Sequence, residues 1–372
     1  MASATLLDSQ TVQHIMLNRI KQLFSAKDTS HHILINAYCT MAEVPKPGFP
    51  HVLNARRDLA DPELQPHLNG FMNYLAQAGA GQMTQVRYHV IRHVQRVRQH
   101  VSLSIEEGAM DGFAVWAEAA NAIVFMADGS VRDPQGRVLL PASGNDGDPQ
   151  AVVPYPPQAW QRKARSDELL AARKIAVPAT LPPLVSEPEL RLRTPEDVLR
   201  RMLALFVVAI RAESLTGGHA IAVEDLKKRF PPAFAGLTDA ERAFLAQEAP
   251  TEQETTQFLW RYEAILVLQW ALGLQEALPF ADAICDVAAI SRTVIERGTE
   301  GLRKQLAMRP AAEILDALDL HYRQHWATRQ AILKKTAAPA ALNDGVLQER
   351  HHALNWLVHF EDRDWDDVDT PT

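Results

Sequence analysis

None of the short motifs that mark a common catalytic machinery occurs in these 372 residues. There is no GxxxxGKS or GxxxxGKT phosphate loop, no GxGxxG after a strand and no GxSxG turn. Their absence removes the usual nucleotide-binding, dinucleotide-binding and α/β-hydrolase readings. Cysteine is scarce: Cys39 and Cys285 lie far apart and fit neither a metal set nor a CxxC redox pair. A reducing cytoplasm is therefore the expected setting. No basic stretch followed by an apolar core opens the chain, so no signal peptide is expected. The longest apolar runs, Met202–Ile210 and Ala264–Leu268, fall far short of a membrane span. Basic charge is not in excess either. With 45 acidic residues against 38 lysines and arginines, the formal charge of −7 disfavours nucleic acid and anionic membranes as partners. No cofactor is implied by any motif, and no repeat or low-complexity tract is present.

What is there divides into a mixed first part, a proline-rich middle and a helical end. HILINAYC at His32–Cys39 reads as a strand, and residues 9–26 as an amphipathic helix with Val12, Met16, Ile20 and Leu23 on one side. Lys46–Pro62 reads as loop, because Pro47, Gly48 and Pro50 punctuate it. Helices are expected over Pro66–Gln77, Thr84–Gln99 and Asp111–Asn121. Strands are expected over Val101–Ile105, Ala122–Met126 and Arg137–Leu140, with turns at Asp128–Ser130 and Asp133–Gly136. The expected fold class is thus α+β: a small α+β domain over residues 1–140, then an all-α domain over 194–372. Between them, residues 141–193 read as a linker. Eleven of the 23 prolines lie between Pro134 and Pro195, the SGNDGD stretch is turn-rich, and only a helix over about Ser166–Lys174 interrupts it.

Helix-start signals recur after that. Thr194 precedes Pro195, and Thr238–Glu241 and Thr251–Glu254 are capping boxes. Phe258–Leu274 is apolar nearly all round, which places it centrally, and Gly273 suits its end. In the next helix, from Pro310, the residues Ile314, Leu315, Leu318, Tyr322, Trp326, Ile332 and Leu333 share one face. His325 points into that face, His321 lies on its border, and Asp319 stands four residues before Arg323 in the favourable order for an ion pair. The last helix, Val346–Phe360, buries Val346, Leu347, Ala353, Leu354, Leu357 and Val358, with Arg350 projecting from the middle of that face. A guanidinium stays charged, so a buried Arg350 must meet a carboxylate or carbonyls; Glu263, Asp316 and Asp319 are the expected partners.

Three of these stretches resemble the signature of a bacterial domain-of-unknown-function family, number 4272. They are LWRYEAILVLQWALG, EILDALDLHYRQHWA and GVLQERHHALNWLVHFEDRDWDDVDT. NAYCTMAEVPKPGFP, MTQVRYHVIRHVQRVRQHVS and ANAIVFMADGSVRDPQGRVLL resemble sequences that precede that domain. The ending after Val368 departs from the family's WDDV-x-TDT. The resemblance implies no catalytic residue.

Chemistry is therefore sought in clusters. His321-x3-His325 has the spacing that aims two imidazoles one way, and Glu361, Asp364 and Asp366 could complete a metal set. Without the Glu of an HExxH helix, His325 reads rather as a core histidine with His321 at the rim, and no metal is expected. Glu263, Asp319, Arg323, His325, Glu349, Arg350, Asn355 and Asp366 form the candidate functional cluster. Such a network serves structure or acid–base chemistry alike. On the basic helix over Thr84–His100, Val86, Val90, Val94 and Val97 form a buried stripe, and Arg92 and Arg96 read as its solvated face. The preferred function is a non-enzymatic binding or regulatory module acting on another protein. The alternative is a metal-assisted or acid–base hydrolytic enzyme with its site in the helical domain.

Overall fold

The computed structural model describes residues 32–77, 83–143 and 147–372. The helix expected over 9–26 and the middle of SGNDGD lie outside them. Six strands form one antiparallel sheet: β1 (His32–Cys39), β2 (Val52–Asp58), β3 (Gln99–Glu106), β4 (Ala122–Met126), β5 (Val131–Arg132) and β6 (Val138–Leu140). Their order is β2-β3-β1-β4-β5-β6, so β1 is central, paired to β3 on one side and β4 on the other. Alternation along β1 sends Ile35, Ala37 and Cys39 to one face and Tyr38 to the other. The Tyr38 face is covered by α1 (Leu64–Gln77) and α2 (Gln85–Val94), through Leu68, Phe71, Val90 and Val94. The opposite face takes α3 (Met110–Ala119), with Phe113 and Trp116 against Phe49.

Two expectations fail here for physical reasons. Val52–Asp58 is a strand, not loop. It is an edge strand whose side chains are mostly exposed, so no apolar alternation marks it. Polar cross-strand pairs hold it instead: Asn54 donates to Ser104 Oγ at 2.9 Å and Arg57 to His100 Nδ1 at 3.1 Å. Helix α2 stops at Val94 rather than Gln99, because the Arg98 N–H is drawn to the Cys39 carbonyl beside β1, at 2.9 Å.

From Pro157 onward the chain is mostly helical. Helix α4 runs Pro157–Ala172, a turn and more ahead of the expected start. Its prolines do not break it, since Pro157 occupies the first helical position, where a missing N–H costs nothing. Helix α5 (Pro195–Thr216) starts as its cap predicts, Thr194 Oγ1 accepting from Asp197 N. Thirteen of its residues are buried, which makes it the axis of the helical core. Around it lie α6 (Val223–Arg229), α7 (Pro231–Ala235), α8 (Asp239–Ala246), α9 (Glu252–Leu259), α10 (Arg261–Ala271) and α11 (Val287–Arg303). Both capping boxes form. The stretch read as one helix from Phe258 is α9 and α10 meeting at Trp260, and Gly273, at φ 71°, ends it. Helices α12 (Ala311–Lys334) and α13 (Asp344–Leu357) close the bundle, α13 packing on both α12 and α10. The last turns of α12 run past their neighbours, so Ile332 and Leu333 are exposed, contrary to expectation.

Arg92 of α2 and Arg96 just beyond its end do not form a solvated face. Arg92 lies over the rings of Tyr322 and Phe360, and Arg96 over Tyr155 while pairing with Glu189. Glu189 is 0% exposed and also receives the Ser186 N–H at 2.9 Å, so residues 186–189 clamp the sheet region to the helices. A buried cation costs several kcal/mol unless paired. Glu189→Ala should therefore destabilise the chain by about 3–5 kcal/mol in urea unfolding at pH 7. A loss below about 1 kcal/mol, the range of exposed pairs, would show that this clamp is wet.

Candidate functional site

Arg350 is 0% exposed. Its Nε donates to Glu263 Oε2 at 2.8 Å and a terminal nitrogen donates to the Pro279 carbonyl at 2.6 Å. Glu263 Oε1 in turn accepts the Cys285 N–H at 2.6 Å. One ion pair thus ties α10, α13 and the intervening 279–285 loop. The Cys285 thiol is pushed up by burial and by the Glu263 carboxylate, so it is a poor nucleophile. The other two carboxylates expected near Arg350 are engaged elsewhere. Asp319 holds Arg323 in a two-pronged pair at 2.8 and 2.9 Å, both 0% exposed, and Asp316 accepts from Arg162 and Arg165 of α4, each at 2.7 Å.

His321 turns Nδ1 to the Ala317 carbonyl at 2.7 Å, one turn back on its own helix. His325 meets His351 of α13, Nδ1 to Nδ1, at 3.1 Å. One ring must accept in that contact, so both cannot be protonated there. Burial lowers His321 and His325 to about 4, and His351 well below the ordinary imidazole range. Asp344 Oδ1 is 4.0 Å from His325 Nε2 and is itself bonded to Thr328 Oγ1 at 2.6 Å. Asp364 and Asp366 are exposed and belong to the tail, away from this pair. Among the described residues no three His, Cys, Asp or Glu side chains gather as a metal set.

Two clefts among the described residues open beside these pairs. The first, about 920 Å³, lies beside α13 and is bordered by Trp260, Arg261, Gly345, Glu349, His352 and Asp366. Two of the stretches that carry the family resemblance meet there. Glu349 accepts from Arg261 at 2.8 and 2.9 Å, and burial raises its carboxyl. A Cβ at Gly345 would lie 2.9 Å from the Trp260 ring, so any larger residue there would push that ring aside. Asn355 donates to the Asp369 carbonyl at 2.9 Å and so holds the tail, while Trp365 packs on Trp356 and His352.

The second cleft, about 550 Å³, separates α1 and α2 from that tail. Its walls include Gln65, Asn69, Asn73, Arg98, His359, Glu361 and Asp362. His359, Glu361 and Asp362 have φ of 52°, 52° and 53°. Left-handed backbone without glycine costs about 1–2 kcal/mol per residue and collects at sites where a side chain must be aimed. His359 is held near 4 by burial and by Arg193, and the Glu361 carboxyl is raised by burial.

The eight residues singled out from the sequence are therefore dispersed. Glu263 with Arg350, Asp319 with Arg323, and Glu349 with Arg261 form separate pairs; His325 joins His351; Asn355 braces the tail; Asp366 is on the surface. Missed by sequence reasoning were Arg261, His351, His359 and Arg98. Only the Gln65, Asn69, Asn73 spacing of one α1 stripe offered a signal for the second cleft.

Removing the Arg350 charge should leave Glu263 buried and alone. Arg350→Ala should cost about 3–5 kcal/mol in denaturant unfolding, and Arg350→Met less, because Met fills the space. An unchanged midpoint for Arg350→Ala would contradict the burial of this pair. The histidines add a pH dependence. An imidazole that takes up its proton at about 4 when folded and 6.5 when unfolded is protonated only in the unfolded chain between those values. The histidine contribution to stability should thus fall as pH drops from 6.5 to 4 and level off below. Each such group contributes at most about 1.4 kcal/mol per pH unit. His325→Gln should flatten the slope; a slope equal to that of the parent would rule His325 out as a contributor.

A family model described as Domain of unknown function (DUF4272) matches residues 162–368, from within α4 to the packed Val368 of the tail. No curated protein and no solved structure matches the chain. Since the matched span takes in α4 to α13 and more than half of the sequence, the chain belongs to the DUF4272 family.

Proposed function

We propose that this protein is a non-enzymatic binding or regulatory module of the cytoplasm, acting on another protein or polar ligand held in an open cleft. One observation carries the reading. The ionisable groups best suited to acid–base work are consumed in closed pairs, Glu263 with Arg350 and Asp319 with Arg323, all at most 2% exposed. Groups spent in this way organise a scaffold, whereas the clefts outside them are lined by amides, carboxylates, one or two arginines and a histidine each. The two-part scaffold, with an α+β first domain and a helical second one joined through the proline-rich stretch, belongs to the same proposal. The cytoplasmic setting is supported by two buried, free cysteines, and no helix among the described residues is long and apolar enough to cross a membrane.

A second reading has its own support. Glu349 borders the cleft beside α13 with its carboxyl raised by burial, a property shared with general acids. Metal assistance is less well supported, since His321 and His325 spend their Nδ1 atoms on Ala317 and His351. Elemental analysis of untagged protein, paired with hydrolysis assays on nitrophenyl esters and phosphates, separates the readings. The proposal expects only traces of metal and no hydrolysis that depends on Glu349. About one equivalent of zinc, manganese or iron, lost in His325→Gln, would overturn it, as would turnover abolished in Glu349→Gln.

A further inference from the structure

Arg98 sits in the turn between α2 and β3, is 8% exposed and borders the 550 Å³ cleft. Its backbone N–H is bonded to Cys39, but its guanidinium makes no direct hydrogen bond or ion pair among the described residues. The charges of Asp362 and Glu189 reach it only at longer range, and burial is the dominant influence on it. A guanidinium cannot discharge, so its donors ask for an acceptor. We propose that this cleft binds the α-carboxylate end of an amino-acyl chain, with Arg98 as the anchor. The inference deepens the binding-module reading and rests on it.

The lining selects the class of anion. A planar fork of N–H donors matches a carboxylate in two-pronged fashion. Glu361, Asp362 and Asp369 also face the cleft, against Arg98 and Arg363. That excess of negative charge disfavours a dianion such as phosphate. It offers a seat for an ammonium, so a ligand carrying carboxylate and amine together satisfies both ends. The remaining wall suits a main chain. Gln65, Asn69 and Asn73 lie four residues apart along α1, exposed, and their side-chain amides make no hydrogen bond among the described residues. Four residues of helix advance about 6 Å. Groups on one side of an extended peptide repeat every 6.6–6.8 Å, roughly the same interval. Each amide offers both a donor and an acceptor to a peptide backbone. Leu68, Val94 and Val97 supply an apolar floor. The carboxylate could come from a free amino acid or from a peptide C-terminus; the length of the amide row favours the peptide.

Saturation-transfer NMR on the full chain tests this with three probes: random tetrapeptides as free acids, the same peptides as C-terminal amides, and a mixture of free amino acids. Free-acid peptides should bind, and amidation should weaken them by about tenfold or more, the scale of a charge-assisted contact. Asn69→Ala, an exposed change, should weaken the peptides without altering the melting temperature, and Arg98→Met should abolish the preference for acids. Signal from free amino acids alone would keep the anchor and assign the smaller source. Equal binding of acids and amides, binding unchanged in Arg98→Met, or no binding by any probe would overturn the proposal. Mass spectrometry of the recovered peptides separates the two levels: cleavage would sink the binding-module reading while leaving the carboxylate anchor standing.

Discussion

The charge of Arg350 is the constraint on which the C-terminal architecture turns. Buried among α10, α13 and the loop before Cys285, it can be neither discharged nor hydrated. Glu263 must therefore sit opposite it, the Pro279 carbonyl must turn inward, and the Cys285 N–H must complete the carboxylate. Each requirement fixes a separate segment. A hydrophobic cluster tolerates sliding, whereas this arrangement allows one register of α13 on α10. Arg162 of α4 with Asp316 repeats the device between α12 and its surroundings, and Arg323, held by Asp319 on α12 itself, reaches out to the Pro182 carbonyl at 3.1 Å. Pairs of this kind add little net stability over apolar substitutes but penalise every alternative packing.

The same chemistry joins the sheet region to the helices. Arg92 of α2 and Arg96 of the turn after it reach onto Tyr322, Phe360, Tyr155 and Glu189, and the Tyr88 hydroxyl lies 3.5 Å from the Tyr322 hydroxyl. The junction is thus charged and aromatic rather than aliphatic. Where it opens, the walls carry polar groups already oriented by the backbone. The left-handed turns at His359, Glu361 and Asp362 are held in place by Arg193, which bonds the Trp356 and Arg363 carbonyls, and by Trp365 beneath Arg201. A strained tail braced on both sides is held as a wall of the cleft rather than left as a fraying end.

Much of this was legible locally. β1 and β4 coincide with their expected spans, and the caps at Thr194, Thr238 and Thr251 open helices as their residue types require. The burial of Arg350 followed from helix phase, because it falls in the middle of an apolar face, and Glu263 was one of the three partners expected for it. What escaped was whatever depends on distant chain. Asp316 finds Arg162 across 154 residues, and no periodicity reports that. β2 has polar side chains and exists only because β3 offers it an edge. Arg92 and Arg96 read as solvated since their partners lie in another region. Arg98 lies in a turn, where no pattern distinguishes a buried arginine from an exposed one.

Buried ion pairs organise the C-terminal block. A double-mutant cycle on Glu263→Gln and Arg350→Met, read by denaturant unfolding at neutral pH, addresses this most directly. The account predicts that each single change leaves a stranded partner and that the double variant recovers at least about 2 kcal/mol relative to their sum. Additivity within about 0.5 kcal/mol would contradict it, because two groups that ignore each other cannot set the register of the helices that carry them.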